Sequence, residues 1–179
     1  MQQACLHPDA LRRRQEAEER SKLRAEERAT ARQLASEGLK WWQEPCSHVD
    51  LCVDVPQLHA AVADAAAREL LLVVKLFTED CYSCKALSPK FHKLAESYAD
   101  VIFVKVNGAT PEFSEFVVEQ GIRGVPWFLF YRGGQCVHGM SASLSPEKLG
   151  AFRREIVRQR KIQNPALYSG GSMSEGPGF

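Results

Sequence analysis

The apolar residues of this chain fall into short runs separated by stretches with helical composition. The runs at 70–77 and 101–106 are almost entirely apolar, which is typical of central strands covered on both faces. The stretch at 48–53 alternates polar and apolar residues, as a half-buried strand does. Because helices are expected between them, these three segments predict parallel strands.

An antiparallel hairpin is expected to follow. The segments 126–131 and 135–138 are predicted as strands, and Gly133-Gly134 between them favours a tight turn. Helices are expected after Asp54, over 81–98 with Pro89 inside, from Thr110 and Pro111 to Glu119, and from Ser145 to near Arg160. The order β-α-β-α-β-α-β-β-α predicts an α/β fold with a central mixed sheet flanked by helices.

Composition divides the chain into three parts. Residues 1–40 are rich in Arg, Glu, Ala and Leu and predict a charged helical extension, which is either solvated or docks on a partner. Residues 41–162 form the folded domain and begin with Trp41-Trp42, expected in a turn. Residues 163–179, which contain Gly, Ser and Pro with few apolar groups, predict a disordered tail.

Charge and hydropathy argue against several classes of partner. The chain has 23 Lys and Arg against 22 Asp and Glu, and a net charge of +1 gives no reason to expect nucleic-acid or membrane binding. No apolar run has transmembrane length. Residues 1–40 lack the apolar core of a secretory signal, and their many acidic residues are unlike a transit peptide.

The strongest chemical signal is the motif Cys81-Tyr82-Ser83-Cys84, which follows a buried strand and opens a helix. The amide N–H groups and positive dipole of a helix N-terminus stabilise a thiolate and lower the pKa of Cys81. Cys84, one turn further on, is shielded yet close enough to resolve a mixed disulfide. The motif predicts a redox pair with Cys81 attacking and Cys84 resolving.

A CxxC motif can also be half of a zinc site, or two inert buried thiols. The local candidates for further zinc ligands are Cys46, His48 and Cys52, but His48 and Cys52 would lie about 13 Å apart on one strand. No metal or cofactor is therefore predicted, and the five histidines form no evident cluster. Cys5, Cys46, Cys52 and Cys136 are expected to be small buried hydrophobic residues, with a regulatory thiol at Cys136 as the alternative.

The second signal is Gly124-Val125-Pro126, in which Pro126 begins a strand. One interpretation is an ordinary proline at the start of a strand. The functional interpretation, favoured by the upstream CxxC motif, is a cis-proline that packs beside the cysteines and shapes a substrate groove. The expected docking surface consists of Cys81, Tyr82, Val125, Pro126 and Trp127.

Together these features resemble the thioredoxin family over residues 49–160. The matching stretches are the strand at 71–77, Cys81-Tyr82-Ser83-Cys84-Lys85 with Pro89, Gly121-Ile122-Arg123-Gly124-Val125-Pro126, and Gly133-Gly134. The resemblance implies a thioredoxin-like fold behind the N-terminal helical extension. It also implies a thiol-disulfide oxidoreductase that needs no bound cofactor. A monomer acting on protein disulfides or dithiols is expected.

Trp41-Trp42 and the segment 84–90 further resemble the atypical Cys/His-rich thioredoxins of plant and algal plastids. That resemblance implies two-cysteine peroxiredoxins as partners and a role in relaying oxidising equivalents. It also implies a location in the chloroplast stroma, with the cytoplasm as the alternative. A second hypothesis is a non-catalytic docking module that binds a partner through its helical arm, because fold alone does not establish activity.

Several positions depart from the usual thioredoxin pattern. Asp80 stands in place of a Trp, and an acid beside the attacking sulfur opposes the thiolate and raises the pKa of Cys81. Tyr82-Ser83 replaces Gly-Pro, which implies a less reducing potential. Trp127 stands where a small Thr is common, and its bulk is expected to narrow the groove.

Lys75 stands at the strand position where thioredoxins keep a buried acid, which is thought to take the proton of Cys84. A charged Lys cannot act as a base, but desolvation and a nearby Lys105 would lower one lysine pKa. A neutral Lys75 would then serve as base, and a charged one would favour thiolate. The alternative is that Lys75 extends to solvent and does neither. Lys75, Asp80 and Lys105 are thus the predicted pKa-tuning residues.

Overall fold

The computed structural model describes Lys22 and residues 38–165 of the chain. The chain separates into two units, Met1–Glu44 and Pro45–Phe179. Most of the predicted helical extension, and the predicted tail from residue 166 onward, lie outside the described residues.

The described end of the first unit contains the expected turn. The Gln43 backbone N–H donates to the Lys40 carbonyl oxygen over 2.8 Å, and the Gln43 Oε1 accepts from the Lys40 N–H over 2.9 Å. The rings of Trp41 and Trp42 meet edge to face with centroids 5.7 Å apart. The Lys40 ammonium lies 4.8 Å from the centroid of the Trp42 ring, a cation–π distance.

The second unit has the predicted order of five strands and four helices. The strands are β1 (Asp50–Cys52), β2 (Leu71–Phe77), β3 (Val101–Asn107), β4 (Trp127–Arg132) and β5 (Gln135–Ser141). The helices are α1 (Val55–Ala67), α2 (Tyr82–Ser97), α3 (Pro111–Glu119) and α4 (Pro146–Gln163). None of these helices, within residues 38–165, is long and apolar enough to cross a bilayer.

The strands form one mixed sheet in the order β1-β3-β2-β4-β5. β1 and β2 both pair in parallel with β3, while β4 pairs antiparallel with β2 and with β5. The predicted parallel half and antiparallel hairpin are therefore confirmed. β2 lies in the centre of the sheet. The C-terminal end of β2, which precedes the CxxC motif, therefore has a neighbouring strand on each side.

Local sequence signals account for the helix starts and the hairpin turn. Asp54 caps α1 by accepting the N–H of Gln57 at 2.8 Å, and the Ser145 hydroxyl accepts the N–H of Lys148 at 3.3 Å at the start of α4. Thr110 is the N-cap residue of α3, as predicted, but its hydroxyl makes no capping bond. Both hairpin glycines have positive φ, which a side chain would disfavour.

The core has two layers, one on each face of the sheet. The residues of one layer come from β2, β3, β4, α2 and α4 and include Phe91, Phe103, Phe128 and Phe152. The ring centroids of Phe128 and Phe152 lie 4.2 Å apart, and those of Phe91 and Phe128 lie 5.6 Å apart. Because this aromatic cluster joins α2 to the sheet and to α4, it fixes the helix that carries the cysteines.

Three element ends differ from the prediction by more than one residue. A strand over 48–53 was expected, but β1 is only three residues long. The strand starts late because the Val49 N–H donates to the Cys46 carbonyl oxygen in a turn. β5 continues to Ser141 through Gly139, a residue with low strand propensity. α4 continues to Gln163, where the tail was expected to begin.

Candidate functional site

The two cysteines of the motif lie at the start of α2. Cys81 is the N-cap residue with an extended backbone, and its Sγ accepts the backbone N–H of Cys84 at 3.1 Å. The sulfur thus occupies the place of a capping oxygen and lies at the positive end of the helix dipole. The two sulfurs form a disulfide, with their Cα atoms 5.2 Å apart.

The two sulfurs differ in accessibility. Cys81 is partly exposed, whereas Cys84 is 0% exposed. The turn before α2 is closed by a hydrogen bond from the Cys81 N–H to the Thr78 carbonyl oxygen at 3.2 Å. A partner can therefore reach Cys81, while Cys84 is in contact only with the protein interior. This is the asymmetry that an attacking and a resolving cysteine require.

Lys75 lies on β2 behind the pair. Its side chain is 1% exposed, and its Nζ donates a hydrogen bond to the backbone carbonyl oxygen of Cys84 at 3.2 Å. The same nitrogen lies 5.2 Å from the centroid of the Phe91 ring. The alternative in which Lys75 extends to solvent is wrong, because α2 covers this face of the sheet.

Lys105 lies directly beside Lys75 in the register of β2 and β3 and is 4% exposed. Desolvation and, as a smaller cause, the charge of Lys105 lower the pKa of Lys75 from 10.5 to about 7. Lys75 is therefore divided between its charged and neutral forms near pH 7.

Two polar residues that sequence reasoning missed face the same lysines. Ser88 and His92 follow Cys84 at intervals of four residues, so the three share one face of α2. The Ser88 Oγ lies 3.4 Å from the His92 Nε2. Desolvation, then the charges of Lys105 and Lys75, lower the pKa of His92 from 6.5 to about 4, which keeps its ring neutral at pH 7. The spacing from Cys84 was the available signal.

The Val125–Pro126 peptide bond is cis, as predicted. It borders a cleft of about 440 Å³ whose walls come from the segments 121–127 and 141–148, with Ser83 from the CxxC motif. Val125, Pro126 and Trp127 all line this cleft. Because Ser83 lies between the two cysteines, the cleft adjoins the disulfide.

The Trp127 indole is accommodated by Gly139 on the neighbouring strand. An ideal Cβ at Gly139 would lie 3.2 Å from the Trp127 Nε1 and 3.3 Å from the Leu129 Cδ2. The Nε1 atom is buried, and no acceptor lies within hydrogen-bond distance among the described residues. The large side chain predicted next to Pro126 is therefore present, and the Trp127 indole packs against β5 at Gly139.

Cys81 and Tyr82, which were expected on the docking surface, do not line the cleft, and neither does Asp80. Tyr82 is 83% exposed and projects from the first turn of α2 without lining the cleft. Asp80 is exposed in the turn before Cys81. The structure thus places Asp80, Cys81 and Tyr82 consecutively at the surface, and the groove residues Val125, Pro126 and Trp127 in the adjoining cleft.

The other cysteines do not all match the expectation of burial. Cys52 is 5% exposed, and desolvation, with the charges of Asp50 and Asp54, raises its pKa to about 11. Cys46 is half-buried. Cys136 is exposed, so its predicted burial is wrong, because it lies on the edge strand β5 next to the hairpin turn. Desolvation of its sulfur nevertheless raises the pKa of the Cys136 thiol. Cys5 lies outside the described residues.

Within residues 38–165, no three His, Cys, Asp or Glu side chains converge in a way that could hold a metal ion. The disulfide uses both thiols of the motif, and His48, which precedes β1, shares no such cluster with Cys46 and Cys52.

Comparison with known proteins identifies similar sequences. A family model described as Thioredoxin matches residues 53–155. The chain is 33% identical over 84 residues to thioredoxin-1 of Schizosaccharomyces pombe, which covers 47% of this chain and 79% of that protein. It is 46% identical over 88 residues to the chloroplastic F-type thioredoxin of Spinacia oleracea, covering 49% of this chain and 46% of that protein. It is 31% identical over 100 residues to chloroplastic thioredoxin-like 1-2 of Arabidopsis thaliana, covering 56% of this chain and 40% of that protein.

Solved structures give the same result. The long form of thioredoxin f from spinach chloroplast superposes with a TM-score of 0.51 at 32% identity, covering 59% of this chain and 84% of that one. A wild-type thioredoxin h from poplar has a TM-score of 0.55 at 22% identity, covering 62% and 97%, and supports the fold alone. The chain spans about half the length of the curated plastid relatives it matches.

Proposed function

This chain belongs to the thioredoxin family of protein-disulfide oxidoreductases, and from that premise we propose that it exchanges disulfides with protein substrates through Cys81 and Cys84. The observation that carries the proposal is the disulfide between a partly exposed Cys81 at the N-cap of α2 and a fully buried Cys84. The resemblance to thioredoxins drawn from the motifs is confirmed by the family match.

In the reducing direction, the Cys81 thiolate attacks one sulfur of a substrate disulfide. The substrate S–S bond breaks, the leaving thiolate takes a proton, and a mixed disulfide with Cys81 remains. Cys84 then loses its proton and attacks the Cys81 sulfur, which releases the second substrate thiol. Two electrons pass from the dithiol to the substrate, and the Cys81–Cys84 disulfide is left. The oxidising direction is the same sequence in reverse.

Lys75 and Lys105 are proposed to tune this exchange. The proton of buried Cys84 needs an acceptor inside the protein, and the Lys75 amine is hydrogen-bonded to the Cys84 carbonyl. With a pKa of about 7, the neutral Lys75 amine can take that proton, and the resulting ammonium stabilises the Cys84 thiolate. Lys105 acts through Lys75 by lowering its pKa. Asp80 is proposed to oppose ionisation of Cys81 from the solvent side.

Substrates are proposed to dock over Tyr82 and along the cleft formed by Val125, Pro126 and Trp127. The exposed Tyr82 ring supplies an apolar surface beside Cys81, and the cleft supplies a channel for the chain that flanks the target sulfur. A two-cysteine peroxiredoxin, oxidised or reduced in a relay, is the proposed partner. A plastid stroma is the proposed location, supported by the chloroplastic names of several relatives. The protein is proposed to act as a monomer.

The test is the midpoint potential of the Cys81–Cys84 pair, titrated in glutathione or dithiothreitol buffers. A potential well above about −270 mV, the value typical of thioredoxin, would favour a relay of oxidising equivalents to or from a peroxiredoxin. A value near or below it would favour a general reductant and would contradict the relay.

A trapping experiment separates the enzyme from the docking module. Cys84→Ser should accumulate a mixed disulfide between Cys81 and its substrate, and Cys81→Ser should not. Cys136→Ser is the matched control, because Cys136 is also exposed but lies outside the pair. If no two-electron couple appears and Cys81→Ser keeps its partner, the protein is a docking module and the proposed function fails.

A further inference from the structure

The cleft beside Pro126 is lined by charges of one sign. Two of its lining residues, Arg123 and Lys148, are cationic, and none of its lining residues in the described chain is acidic. Ser83, Ser141 and Ser143 add hydroxyl groups to the same surface. Hydroxyls and cations together are suited to bind carboxylates.

The two cations are available to a ligand. Both residues are exposed, and neither forms an ion pair with another residue of the range 38–165. They reach the cleft from different elements, Arg123 from the loop before β4 and Lys148 from the first turn of α4. Two independently anchored cations on one cleft raise the local potential more than either does alone.

An acidic residue lies directly before the motif in sequence and outside the cleft. Asp80 immediately precedes Cys81, is exposed, and does not line the cleft. A substrate chain that lay over Cys81 would therefore meet a carboxylate near Asp80 and cations along the cleft. Charge complementarity then favours one polarity of substrate over the other.

We propose that the cleft selects protein substrates in which the segment that lies along the cleft, next to the target cysteine, carries Asp or Glu residues, with Arg123 and Lys148 as specificity-determining residues. This inference rests on the proposed disulfide exchange and names the class of substrate segment that it favours. The exposed cations are expected to act mainly on binding, because neither takes part in the bond exchange between the sulfurs.

The test compares three synthetic peptides, each closed by one intramolecular disulfide and identical except for three flanking Glu, Gln or Lys residues. Exposed charge pairs contribute about 0.2–1 kcal/mol each, so with two cations the Glu peptide should be reduced roughly 2- to 30-fold faster than the Gln peptide in kcat/KM at low salt. The Lys peptide should be the slowest. The ratio should fall towards one as salt rises, because screening weakens exposed charge pairs.

Variants assign the preference to the cleft. In the double variant Arg123→Gln and Lys148→Gln, the ratio of kcat/KM for the Glu peptide to that for the Gln peptide should fall close to one. The change should come mainly from a higher KM for the Glu peptide. The matched control is Arg154→Gln with Lys93→Gln, which removes one Arg and one Lys charge from exposed positions outside the cleft and should keep the ratio.

Equal rates for the three peptides, or a ratio that survives the double variant, would overturn the inference while leaving disulfide exchange intact. Absence of reduction of every peptide, together with no two-electron couple in the titration, would instead overturn the proposed function and this inference with it.

Discussion

Lys75 donates a hydrogen bond from its buried Nζ to the carbonyl oxygen of Cys84, so an amine lies directly behind the resolving cysteine. In the resemblance to thioredoxins this strand position belongs to an acid. An amine and an acid act in opposite directions when charged, since an ammonium stabilises a thiolate and a carboxylate destabilises it. The residue at this strand position therefore determines whether the thiolate of the cysteine pair is stabilised or destabilised.

Replacement of Lys75 should change the reduction potential. Lys75→Met removes a group that favours the thiolate, and hence the reduced state, so the potential should fall. Lys75→Asp should lower it further. A loss of about 0.7–1.4 kcal/mol corresponds to roughly 15–30 mV for two electrons. Redox titration at pH 7 measures it, with Lys93→Met on the exposed face of α2 as control. No shift beyond error would contradict a tuning role for Lys75.

The depressed pKa of Lys75 also predicts a pH dependence of stability. Between pH 7 and pH 10.5 the unfolded chain binds a proton on Lys75 that the folded protein binds only in part. The free energy of unfolding should therefore rise with pH in this window, by at most about 1.4 kcal/mol per pH unit, and the contribution is lost as pH falls through 7. The raised pKa of Cys52 should make the free energy of unfolding fall as pH rises from 9 to about 11, because the folded protein keeps a proton that the unfolded chain loses.

Urea unfolding of the oxidised protein at pH 7.0, 7.5, 8.0 and 8.5 lies within the Lys75 window and below that of Cys52, and measures this slope. Lys75→Met should flatten the slope. It should also raise stability at pH 7, because a buried amine is replaced by an apolar side chain of similar length. An equal slope in the variant would show that Lys75 titrates normally.

The sequence predicted the framework of the site better than its interior. The apolar runs of β2 and β3 and the Gly133-Gly134 turn determine the sheet, because burial and turn geometry depend on local composition. The position of Lys75 behind the motif could be predicted, but whether its long side chain turned inward or outward depended on the packing of α2. Ser88 and His92 were missed because their proximity to the lysines arises only once helix and sheet are packed together.

Two further differences have the same origin. Cys136 was expected to be buried because cysteine usually is, yet its exposure depends on β5 being the edge strand, which is a property of the whole sheet. The strand was predicted to end at His138, but β5 continues through Gly139 to Ser141. The lack of a side chain at Gly139 makes room for the indole of Trp127 two strand positions away, a long-range requirement that local propensity does not contain.

Gly139→Ala should disturb the cleft through Trp127. The new Cβ would lie 3.2 Å from the Trp127 Nε1 and 3.3 Å from the Leu129 Cδ2, so the indole must shift. We expect about 1–3 kcal/mol of destabilisation, as for overpacking, and a KM for substrate that changes more than kcat. Thermal unfolding and steady-state kinetics measure the two effects.

The matched control is Gly150→Ala, whose Cβ meets only the movable end of the Arg154 side chain. In a Trp127→Thr background, Gly139→Ala should cost less stability than in the native protein, because the smaller side chain vacates the contested space. If Gly139→Ala alone had native stability and native KM, the position of the Trp127 indole would not depend on the missing side chain at Gly139.

Asp80→Asn should make Cys81 more acidic in the reduced protein. The carboxylate precedes the attacking cysteine at the surface, where it opposes a thiolate, and Asn removes the charge while keeping the shape. Solvent screens exposed charges, so the decrease in the Cys81 pKa should be small. The pH dependence of alkylation of Cys81 by iodoacetamide measures it, and the difference should shrink in high salt. Glu119→Gln removes an equally exposed charge at the end of α3 and should leave the profile unchanged. If Asp80→Asn and Glu119→Gln give the same profile, the acid before Cys81 does not oppose its ionisation, and the departure from a Trp at this position must act through shape.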